Sequence, residues 1–413
     1  MNFNGVLFVQ QPQQVVSGHG VNLFQDTQNA LGLYLHIPFC FHKCHYCDFY
    51  SIVDSATRHE DRQQHFTDAL ISELLTANDK SPLKVRTIFV GGGTPTLLQP
   101  KFWHQIFQTL HKIVDFSSLD EFTVEANPET VTDELMRLFA QNGVNRISIG
   151  AQSFDQSLLK VLERWHDPQN VSKAMNIARN AGIRYINLDM IFAIPSQTMD
   201  RLNADLDAVL DLQPDHISDY SLIFEPNTPL TQKRNMGLIQ PIKEDIERDM
   251  FEHVITRLSQ AGYDHYEISN WAKKTQANQD LPVWGNRCLH NLLYWHNANW
   301  LGFGPSAASH MNGHRWKNLP HLGKYIEGSP IPPTIDHEYL KQHDRIGEQL
   351  MMLLRLREGV STAWIKKHIP DSDVRHQTIK ELRDINMLEI RDNYLRLTDQ
   401  GLFVGDAVIA RLL

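Results

Sequence analysis

The strongest constraint on the fold is a repeated alternation between short apolar runs and helical stretches that begins at residue 31. Helical spacing is clear in 133–142, where Leu135, Leu138 and Phe139 share one face. Repeated β-then-α units predict a parallel sheet with helical crossovers, and therefore an α/β fold. The pattern alone leaves open whether the sheet is doubly wound or forms a partial barrel. The six predicted strands lie at 31–37, 86–90, 121–125, 145–150, 185–192 and 216–224.

The composition is that of a folded protein with a substantial core. Hydrophobic residues make up 42% of the 413 residues and charged residues 21%, which argues against a disordered or fibrous chain. The 39 basic and 48 acidic residues leave a net charge of −9, so we expect no general nucleic-acid binding. No apolar run approaches the ~20 residues of a membrane span, and the first 30 residues contain no Lys or Arg. We therefore expect no membrane span, no secretory signal and a cytoplasmic location.

The alternation divides the chain into four parts. Residues 1–29 are rich in Gln and Asn and are expected to form an N-terminal extension. Residues 30–240 carry the β/α units, and residues 241–335 form a connector rich in Trp, His, Asn and Gly. Residues 336–413 are predicted to form a C-terminal α+β domain of winged-helix type, in which helices precede a hairpin that turns at 392–393. The acidic net charge makes DNA binding a poor expectation for this domain.

Three of the four cysteines lie within eight residues. Cys40, Cys44 and Cys47 form the pattern C-x3-C-x2-C directly after the first predicted strand, whereas Cys288 is far away. Three thiolates can bind three irons of a cubane [4Fe–4S] cluster and leave the fourth iron open for another ligand. The alternative is a Cys3His zinc site. Its fourth ligand would come from His36, His42 or His45. The missing second C-x2-C pair weakens this zinc alternative, and Cys288 is expected to be a buried, unreactive thiol.

The cysteine triplet stands beside a second motif. After the second predicted strand the chain reads Gly91-Gly92-Gly93-Thr94-Pro95. Together, C-x3-C-x2-C and G-G-G-T-P resemble the radical S-adenosylmethionine (SAM) superfamily. The resemblance implies a partial (β/α)6 barrel, with SAM chelating the open iron at the C-terminal mouth of the strands. It also implies that an electron from the cluster cleaves SAM to methionine and a 5′-deoxyadenosyl radical.

The resemblance further implies that polar residues at the strand ends contact SAM. It assigns contact with the methionine part of SAM to Gly92, Gly93 and Thr94. Taken alone, these glycines could equally form a tight βα turn, and any single carboxylate could be a helix cap or an ion-pair partner. The other implied contacts are Glu125, Gln152, Arg164 and Asp189, with Tyr34 and Tyr46 beside the cluster.

Within the superfamily, residues 31–400 resemble the group that contains oxygen-independent coproporphyrinogen III oxidase and the haem chaperone HemW. The shared motifs are Y-x-H-I-P-F-C, G-G-G-T-P-T, V-E-A-N-P, I-G-A-Q-S-F, Y-E-I-S-N-W and H-N-L-L-Y-W. Two motifs depart from the usual pattern. Residues 193–198 read A-I-P-S-Q-T instead of G-L-P-x-Q-T, and residues 163–166 read E-R-W-H instead of G-R-x-H. Both departures could alter the mouth of the barrel.

Two features separate chaperone from oxidase. The oxidase normally has a cysteine two residues after the third ligand, whereas Cys47 is followed by Asp48 and Phe49, as in the chaperone branch. His290 opens the H-N-L-L-Y-W motif, and a neutral imidazole is a good axial ligand for haem iron. Alternatively, His290 hydrogen-bonds within the protein. We therefore expect a haem chaperone with a [4Fe–4S] cluster, SAM and haem, and as partners a haem-acceptor protein and an electron donor. The alternative is SAM-dependent decarboxylation of coproporphyrinogen III to protoporphyrinogen IX in porphyrin biosynthesis.

Overall fold

The computed structural model describes residues 31–54, 60–274 and 284–413. The predicted N-terminal extension, residues 1–29, lies outside the described residues. The strands of the described part are β1 Leu31–Ile37, β2 Phe39–Cys40, β3 Ile52–Val53, β4 Val85–Gly92, β5 Glu121–Ala126, β6 Arg146–Gln152, β7 Tyr185–Phe192, β8 His216–Ser221, β9 Tyr263–Glu267, β10 Asn270–Lys273, β11 Asn299–Phe303, β12 Ala308–Met311, β13 His314–Asn318, β14 Thr334–Tyr339, β15 Val360–Ser361, β16 Leu388–Arg391 and β17 Tyr394–Leu397.

Helices alternate with the strands, as the sequence pattern predicts. Among the described residues, none of them is both long and apolar enough to cross a bilayer. They are α1 Glu60–Lys80, α2 Pro100–Ile113, α3 Asp133–Gln141, α4 Gln156–Val161, α5 Gln169–Asn180, α6 Met199–Leu212, α7 Pro229–Asn235, α8 Glu244–Gln260, α9 Leu289–Trp295, α10 Leu322–Glu327, α11 Gln342–Leu353, α12 Thr362–His368, α13 Arg375–Asp384, α14 Asp399–Leu402 and α15 Gly405–Ala410.

Twelve strands form one sheet in the order β14-β13-β12-β11-β1-β4-β5-β6-β7-β8-β10-β9. Strand β1 and strands β4 to β8 are the six that the sequence predicts, and each pairs in parallel with the next. Their spatial order follows the chain, whereas a doubly wound sheet reverses its order at a switch point. The α/β fold with a partial barrel is therefore confirmed.

The two faces of the parallel strands differ in polarity, because successive side chains of a strand point to opposite sides. On the helix side, Leu33 and Leu35 of β1 are fully buried in the same core cluster as Phe102 and Trp103 of α2. The opposite side of β1 presents Tyr34 to an internal cavity. The strands thus bury an apolar layer under the helices and leave a polar lumen inside the curved sheet.

The connector, residues 241–335, extends this sheet at both edges. Strand β11 pairs in parallel with β1, and β10 pairs antiparallel with β8. Between these two strands in sequence, α9 contributes residues to the lining of the lumen. The connector therefore takes part in building the internal cavity.

The C-terminal part has its own small sheet, in the order β15-β17-β16. Residues Asp392 and Asn393 turn the chain between β16 and β17 with φ values of 52° and 65°. Such positive φ values are required by the tight hairpin turns that suit Asn and Asp. The helices and this sheet share a second core cluster that includes Leu350, Leu382 and Leu395.

Candidate functional site

The three cysteines lie on a loop that the short β2–β3 ladder holds at the end of β1. The Ile52 N–H donates to Pro38 O at 2.7 Å and the Asp54 N–H donates to Cys40 O at 2.7 Å. We call residues 40–54 the cluster loop. Its middle is fixed at His45, whose N–H donates to Leu162 O at 3.2 Å and whose carbonyl accepts from Leu230 N at 3.0 Å. The loop is thus tied to the residue that follows α4 and to the first turn of α7.

Two of the cysteine sulfurs have polar neighbours from other segments, one after β4 and one after α4. Thr94 Oγ1 lies 3.6 Å from Cys40 Sγ, and Arg164 Nη1 lies 3.8 Å from Cys44 Sγ. Burial raises the pKa of the Cys40 thiol, and it raises the pKa of Cys47 to about 11. Both thiols are therefore protonated at neutral pH until a metal displaces the protons. A hydroxyl and a guanidinium beside the sulfurs suit the negative charge that thiolate ligands carry.

One of the three histidines that could complete a zinc site is hydrogen-bonded to other protein groups. His36 Nε2 lies 2.8 Å from Tyr50 O, and its Nδ1 lies 3.0 Å from the Tyr34 hydroxyl. Within the described residues, no three His, Cys, Asp or Glu side chains converge closely enough to hold one metal ion. A cubane spaces its thiolates more widely, because each thiolate binds a different iron. His36, one of the three candidate fourth ligands of a zinc site, is thus engaged by protein groups at both ring nitrogens.

The glycines of the G-G-G-T-P turn are required by close backbone packing. The Gly93 N–H donates to Ile37 O at 2.8 Å and the Thr94 N–H donates to Phe39 O at 2.7 Å. A Cβ atom on Gly93 would lie 2.6 Å from the Phe39 carbonyl oxygen, and Gly92 has a φ of +108°. The turn therefore lies directly against the residue that precedes Cys40, as the tight-turn alternative expects, and contact of these glycines with a ligand stays a prediction.

Two half-buried carboxyl groups, Glu125 and Asp189, lie near each other at the mouth of the lumen. Glu125 Oε2 accepts the Gly92 N–H at 3.2 Å, and Asp189 Oδ2 accepts the Ser148 hydroxyl at 2.9 Å. Burial and the charge of Asp189 raise the pKa of Glu125 to about 8, and burial also raises the pKa of Asp189. Like charges in a low dielectric repel each other, so the pair suits a cationic ligand. SAM, with its ammonium and sulfonium groups, meets that requirement.

The remaining predicted contacts also lie around this mouth. Gln152 ends β6 with a φ of 64° at an irregularity in the pairing with β7. A Cβ atom on Gly150 would lie 2.8 Å from Gln152 Nε2 and 2.7 Å from Arg164 Nη2, so these two side chains are neighbours. Tyr46 packs against a buried apolar cluster that includes Leu158 and Leu162. The structure thus places Gln152 and Arg164 together, with Arg164 reaching to Cys44.

The lumen behind the mouth is a polar cavity of about 180 Å³. Barrel interiors are usually filled by branched apolar side chains, whereas this one contains amides, hydroxyls and ionisable groups. Its upper part is formed by Tyr34, Glu125 and Asp189, and its lower part by Arg146 and His290, among others. The cavity therefore joins the predicted SAM site to the base of the barrel.

His290 is engaged by protein groups on both ring nitrogens. Its Nδ1 lies 2.8 Å from Thr87 Oγ1, and its Nε2 lies 2.9 Å from the Tyr294 hydroxyl. The ring is buried and stacks on Phe89 at a centroid distance of 5.3 Å. This environment is the one expected for the hydrogen-bonding alternative, and haem ligation by His290 stays a prediction.

Two buried charged groups at the base of the barrel were not among the predicted site residues. Glu121 and Arg146 open strands β5 and β6 and form an ion pair at 3.0 Å with both side chains 2% exposed. Arg146 Nη2 also donates to the carbonyls of Asn286 and Arg287, directly before α9. A charged residue at the start of a buried strand is unusual. In the sequence, this feature could have marked both residues as part of a site.

Asp205 of α6 was also missed. Its carboxylate accepts the Ser153 hydroxyl at 2.8 Å and the Phe154 N–H at 2.7 Å, and Gln197 Nε2 lies 3.4 Å away. It therefore ties the segment after Gln152 to the segment after β7. The sequence offers no signal for it, because an Asp on an amphipathic helix ordinarily faces solvent.

Comparison with known proteins agrees with this geometry. Residues 34–209 match the model of the radical SAM superfamily, and residues 340–404 match that of the HemN C-terminal domain. In three dimensions the chain is similar to coproporphyrinogen III oxidase (HemN) from Escherichia coli, described as a radical SAM enzyme. The TM-score is 0.79 at 20% identity, over 94% of this chain and 91% of that one. Fold and site together define a protein of the radical SAM class.

Sequence relatives narrow the class. The chain is 33% identical to "Heme chaperone HemW" of Lactococcus lactis over 94% of this chain and 98% of the relative. It is 32% identical to the protein of the same name from Bacillus subtilis, over 92% of this chain and 98% of the relative. The Escherichia coli relative of that name is 37% identical over 67% of this chain. The chain therefore belongs to the HemW family of the radical SAM superfamily.

Proposed function

We propose that the protein is a haem chaperone that carries a [4Fe–4S] cluster and SAM, binds haem and delivers it to an acceptor protein. The observation that carries this proposal is the similarity to relatives named "Heme chaperone HemW" across 98% of their length. The absence of a cysteine two residues after Cys47 supports it, because Phe49 occupies the position where the oxidase carries one.

The residues of the cluster loop fit the cluster, and the mouth fits SAM. Cys40, Cys44 and Cys47 would hold three irons, with Thr94 and Arg164 placed to donate hydrogen bonds to the sulfurs. When bound, the cluster supplies an open iron for SAM and an electron from a donor protein. Hydrogen bonds to the sulfurs adjust the cluster's reduction potential.

The mouth residues would hold the cofactor by charge and shape. A bound cation would lower the raised pKa values of Glu125 and Asp189 and so favour negative charge on both carboxylates. The turn at Gly92 and Gly93 lets the backbone approach the ligand. Gln152, beside Arg164, would supply further polar contacts, with Tyr34 and Tyr46 flanking the site. A reducing compartment such as the cytoplasm, which keeps the three thiols reduced, is part of the proposal.

The experiment compares haem binding with porphyrinogen conversion. Purified protein with a reconstituted cluster should bind haem about one to one, followed by the haem absorption bands. With SAM and a strong reductant it should not convert coproporphyrinogen III to protoporphyrinogen IX. Conversion without haem binding would reverse the assignment in favour of the oxidase.

A further inference from the structure

The carboxylate of Asp189, at the mouth of the lumen, is held by other side chains at both of its oxygens. Asn187 Nδ2 donates to Asp189 Oδ1 at 2.7 Å, and the Ser148 hydroxyl donates to Asp189 Oδ2 at 2.9 Å. Asn187 Nδ2 also donates to Ser148 Oγ at 2.7 Å. The amide group of Asn187 therefore fixes both oxygens of Asp189, one directly and one through the hydroxyl of Ser148.

The orientation of the Asn187 amide is set by its neighbours. A carboxylate only accepts hydrogen bonds, so the Nδ2 side of the amide has to face Asp189. The Oδ1 side then faces His216, whose Nδ1 lies 2.6 Å away, and the Ser218 hydroxyl at 3.3 Å. Because an amide oxygen cannot donate, Nδ1 of His216 carries the hydrogen of this hydrogen bond.

The imidazole of His216 is thereby held in one tautomer. Burial and the nearby guanidinium of Arg146 lower the pKa of His216 well below its ordinary value, so the ring is neutral. A neutral imidazole with its hydrogen on Nδ1 accepts at Nε2. Nε2 lies 2.8 Å from the Tyr266 hydroxyl, which therefore donates to it. The Tyr266 oxygen in turn accepts the backbone N–H of Cys288 at 3.4 Å.

These contacts form a chain of hydrogen bonds with a single direction, which we call the lumen chain. It runs from the Cys288 N–H through Tyr266, His216 and Asn187 to Asp189. A backbone N–H can only donate, so the donor at the α9 end of the chain is fixed. At the other end the chain delivers an N–H to Asp189, which has to accept it. The lumen chain therefore favours the ionised form of Asp189.

The lumen chain bears on ligand binding because Asp189 lies where burial opposes its charge. Burial raises the pKa of Asp189, and hydrogen bonds from Ser148, Ser218 and Asn187 oppose that rise. Each carboxylate oxygen has two lone pairs, so each oxygen can still accept a hydrogen bond from a ligand. A carboxylate that is already held in place also loses less conformational entropy when it binds a ligand.

We propose that Asn187 and His216 are positioning residues for SAM, which act through Asp189, and that Tyr266 fixes the tautomer of His216 that this requires. None of these three side chains has to touch the cofactor. This inference rests on the proposed function, in which Asp189 takes part in the SAM site, and it adds the residues that hold Asp189 in place. The lumen chain also joins the SAM site to Cys288, the residue before α9.

The test is SAM binding to the cluster-loaded full chain by equilibrium dialysis, with iron content measured on every variant. His216→Asn and His216→Gln are a matched pair, since the Asn amide replaces Nδ1 of the imidazole and the Gln amide replaces Nε2. His216→Gln should weaken SAM binding about tenfold or more, because Asn187 loses its donor. His216→Asn keeps that donor and should stay within about threefold of the parent.

Two further variants test the neighbouring links of the lumen chain. Asn187→Asp has the same shape without a donor and should weaken SAM binding about tenfold or more. Tyr266→Phe should weaken it about two- to fivefold, because Asn187 still selects the same tautomer of His216. His310→Gln is the control for general destabilisation and should bind SAM as the parent does. His310 is also buried and faces Ala298 O at 3.1 Å, but it belongs to β12, two strands away from β1.

The outcomes separate this inference from the proposed function. Parent-like SAM affinity in Asn187→Asp and His216→Gln would overturn the inference alone, as would equal losses in the two His216 variants. Loss of iron together with SAM in Asn187→Asp and His216→Gln would assign the lumen chain to the fold and would also overturn it. A parent that binds haem but no SAM would overturn both the inference and the SAM site of the proposed function.

Discussion

At the scale of single residues, the sulfurs of Cys40 and Cys44 have surroundings that differ from those of Cys288. Cys40 has a hydroxyl neighbour, Thr94, and Cys44 has the guanidinium of Arg164. Cys288 instead donates to Glu121 Oε1 at 3.3 Å in the base of the barrel. Polar groups beside a sulfur help it carry charge, whereas a carboxylate beside it opposes ionisation. Cys288 is therefore unsuited to be a cluster ligand.

We expect replacement of Cys40, Cys44 or Cys47 by Ala to abolish iron binding after anaerobic reconstitution. The parent should bind about four irons per chain, as a cubane requires. The measurements are iron and sulfide content and the broad visible absorption of the cluster. Cys288→Ala is the matched control and should keep the cluster. Stoichiometric zinc in the reduced parent, with no iron uptake, would contradict the assignment.

Glu125 should make the protein without SAM less stable as the pH rises. Its pKa is about 8 when folded against 4.5 ordinarily, so the folded state binds the proton more tightly. The stability that this proton contributes is complete below pH 4.5 and is lost as the pH approaches 8. Because the side chain is partly exposed to the cavity, we expect a loss of about 1–2 kcal/mol between pH 6 and 8.5.

Glu125→Gln should remove this loss, since an amide does not titrate. Denaturant unfolding at several pH values measures it, with Glu134→Gln on the exposed side of α3 as control. The gap between Glu125→Gln and the parent should widen with pH and narrow when SAM is added. A gap that is constant across the pH range would show that Glu125 is ionised throughout.

At the scale of elements, two positions where the family usually has glycine adopt left-handed backbone conformations here. Ala193, after β7, has a φ of 58°, and Glu163, after α4, has a φ of 50°. The glycines of the family pattern are therefore explained by the backbone, because glycine adopts positive φ without strain. Glu163 gains contacts in exchange for this strain, whereas Ala193 is buried and gains only a methyl group.

Ala193→Gly should stabilise the protein. Relief of the strained left-handed conformation raises the free energy of unfolding by about 1 kcal/mol. The greater freedom of glycine in the unfolded chain lowers it by about half that amount. The measurement is the denaturation midpoint. Ala204→Gly, at an exposed position inside α6, is the control and should destabilise by about 1 kcal/mol. Equal losses in both variants would argue against strain at Ala193.

Gly93→Ala should disturb the cluster as well as SAM binding. The added Cβ would lie 2.6 Å from Phe39 O, a backbone atom next to Cys40, so the cluster loop has to move. Iron content and SAM affinity should both fall. Gly347→Ala in α11, where the nearest atom would be 3.4 Å away, should leave both unchanged. Full iron content in Gly93→Ala would mean that the turn can move without the loop.

At the scale of the whole molecule, the ion pair of Glu121 and Arg146 joins the connector to the barrel. Glu121 accepts the backbone N–H groups of Leu289 at 2.8 Å and His290 at 3.1 Å, which begin α9. Arg146 binds the two carbonyls before that helix. The pair thus neutralises its own buried charge and fixes the helix that closes the base of the lumen.

Arg146→Met should destabilise the protein by about 3–5 kcal/mol, because it leaves Glu121 buried without its partner. The double variant Glu121→Met, Arg146→Met should cost less than the sum of the single changes, since no charge is then left unpaired. Denaturant unfolding of the parent, the two single variants and the double variant gives the double-mutant cycle. Additive losses would mean that the two groups act on stability independently.

The sequence by itself determined the local features of this protein. Apolar periodicity placed the six parallel strands, with β1 and β7 matching the predicted bounds and β8 ending three residues earlier. The spacing of Cys40, Cys44 and Cys47 located the cluster loop. These features depend on neighbours in the chain, because strand alternation and turn chemistry act over a few residues.

Only the tertiary structure decided the features that join distant segments. Glu125 and Asp189 are 64 residues apart in sequence, yet they share one electrostatic environment. His290 reaches Thr87 across 203 residues, and strand β11 completes the edge beside β1. Hydrogen bonding and charge neutralisation between such segments depend on how the sheet curves and which elements close it. The periodicity of the sequence does not predict such contacts. The size of the lumen and the hydrogen bonds of His290 are therefore known only from the folded structure.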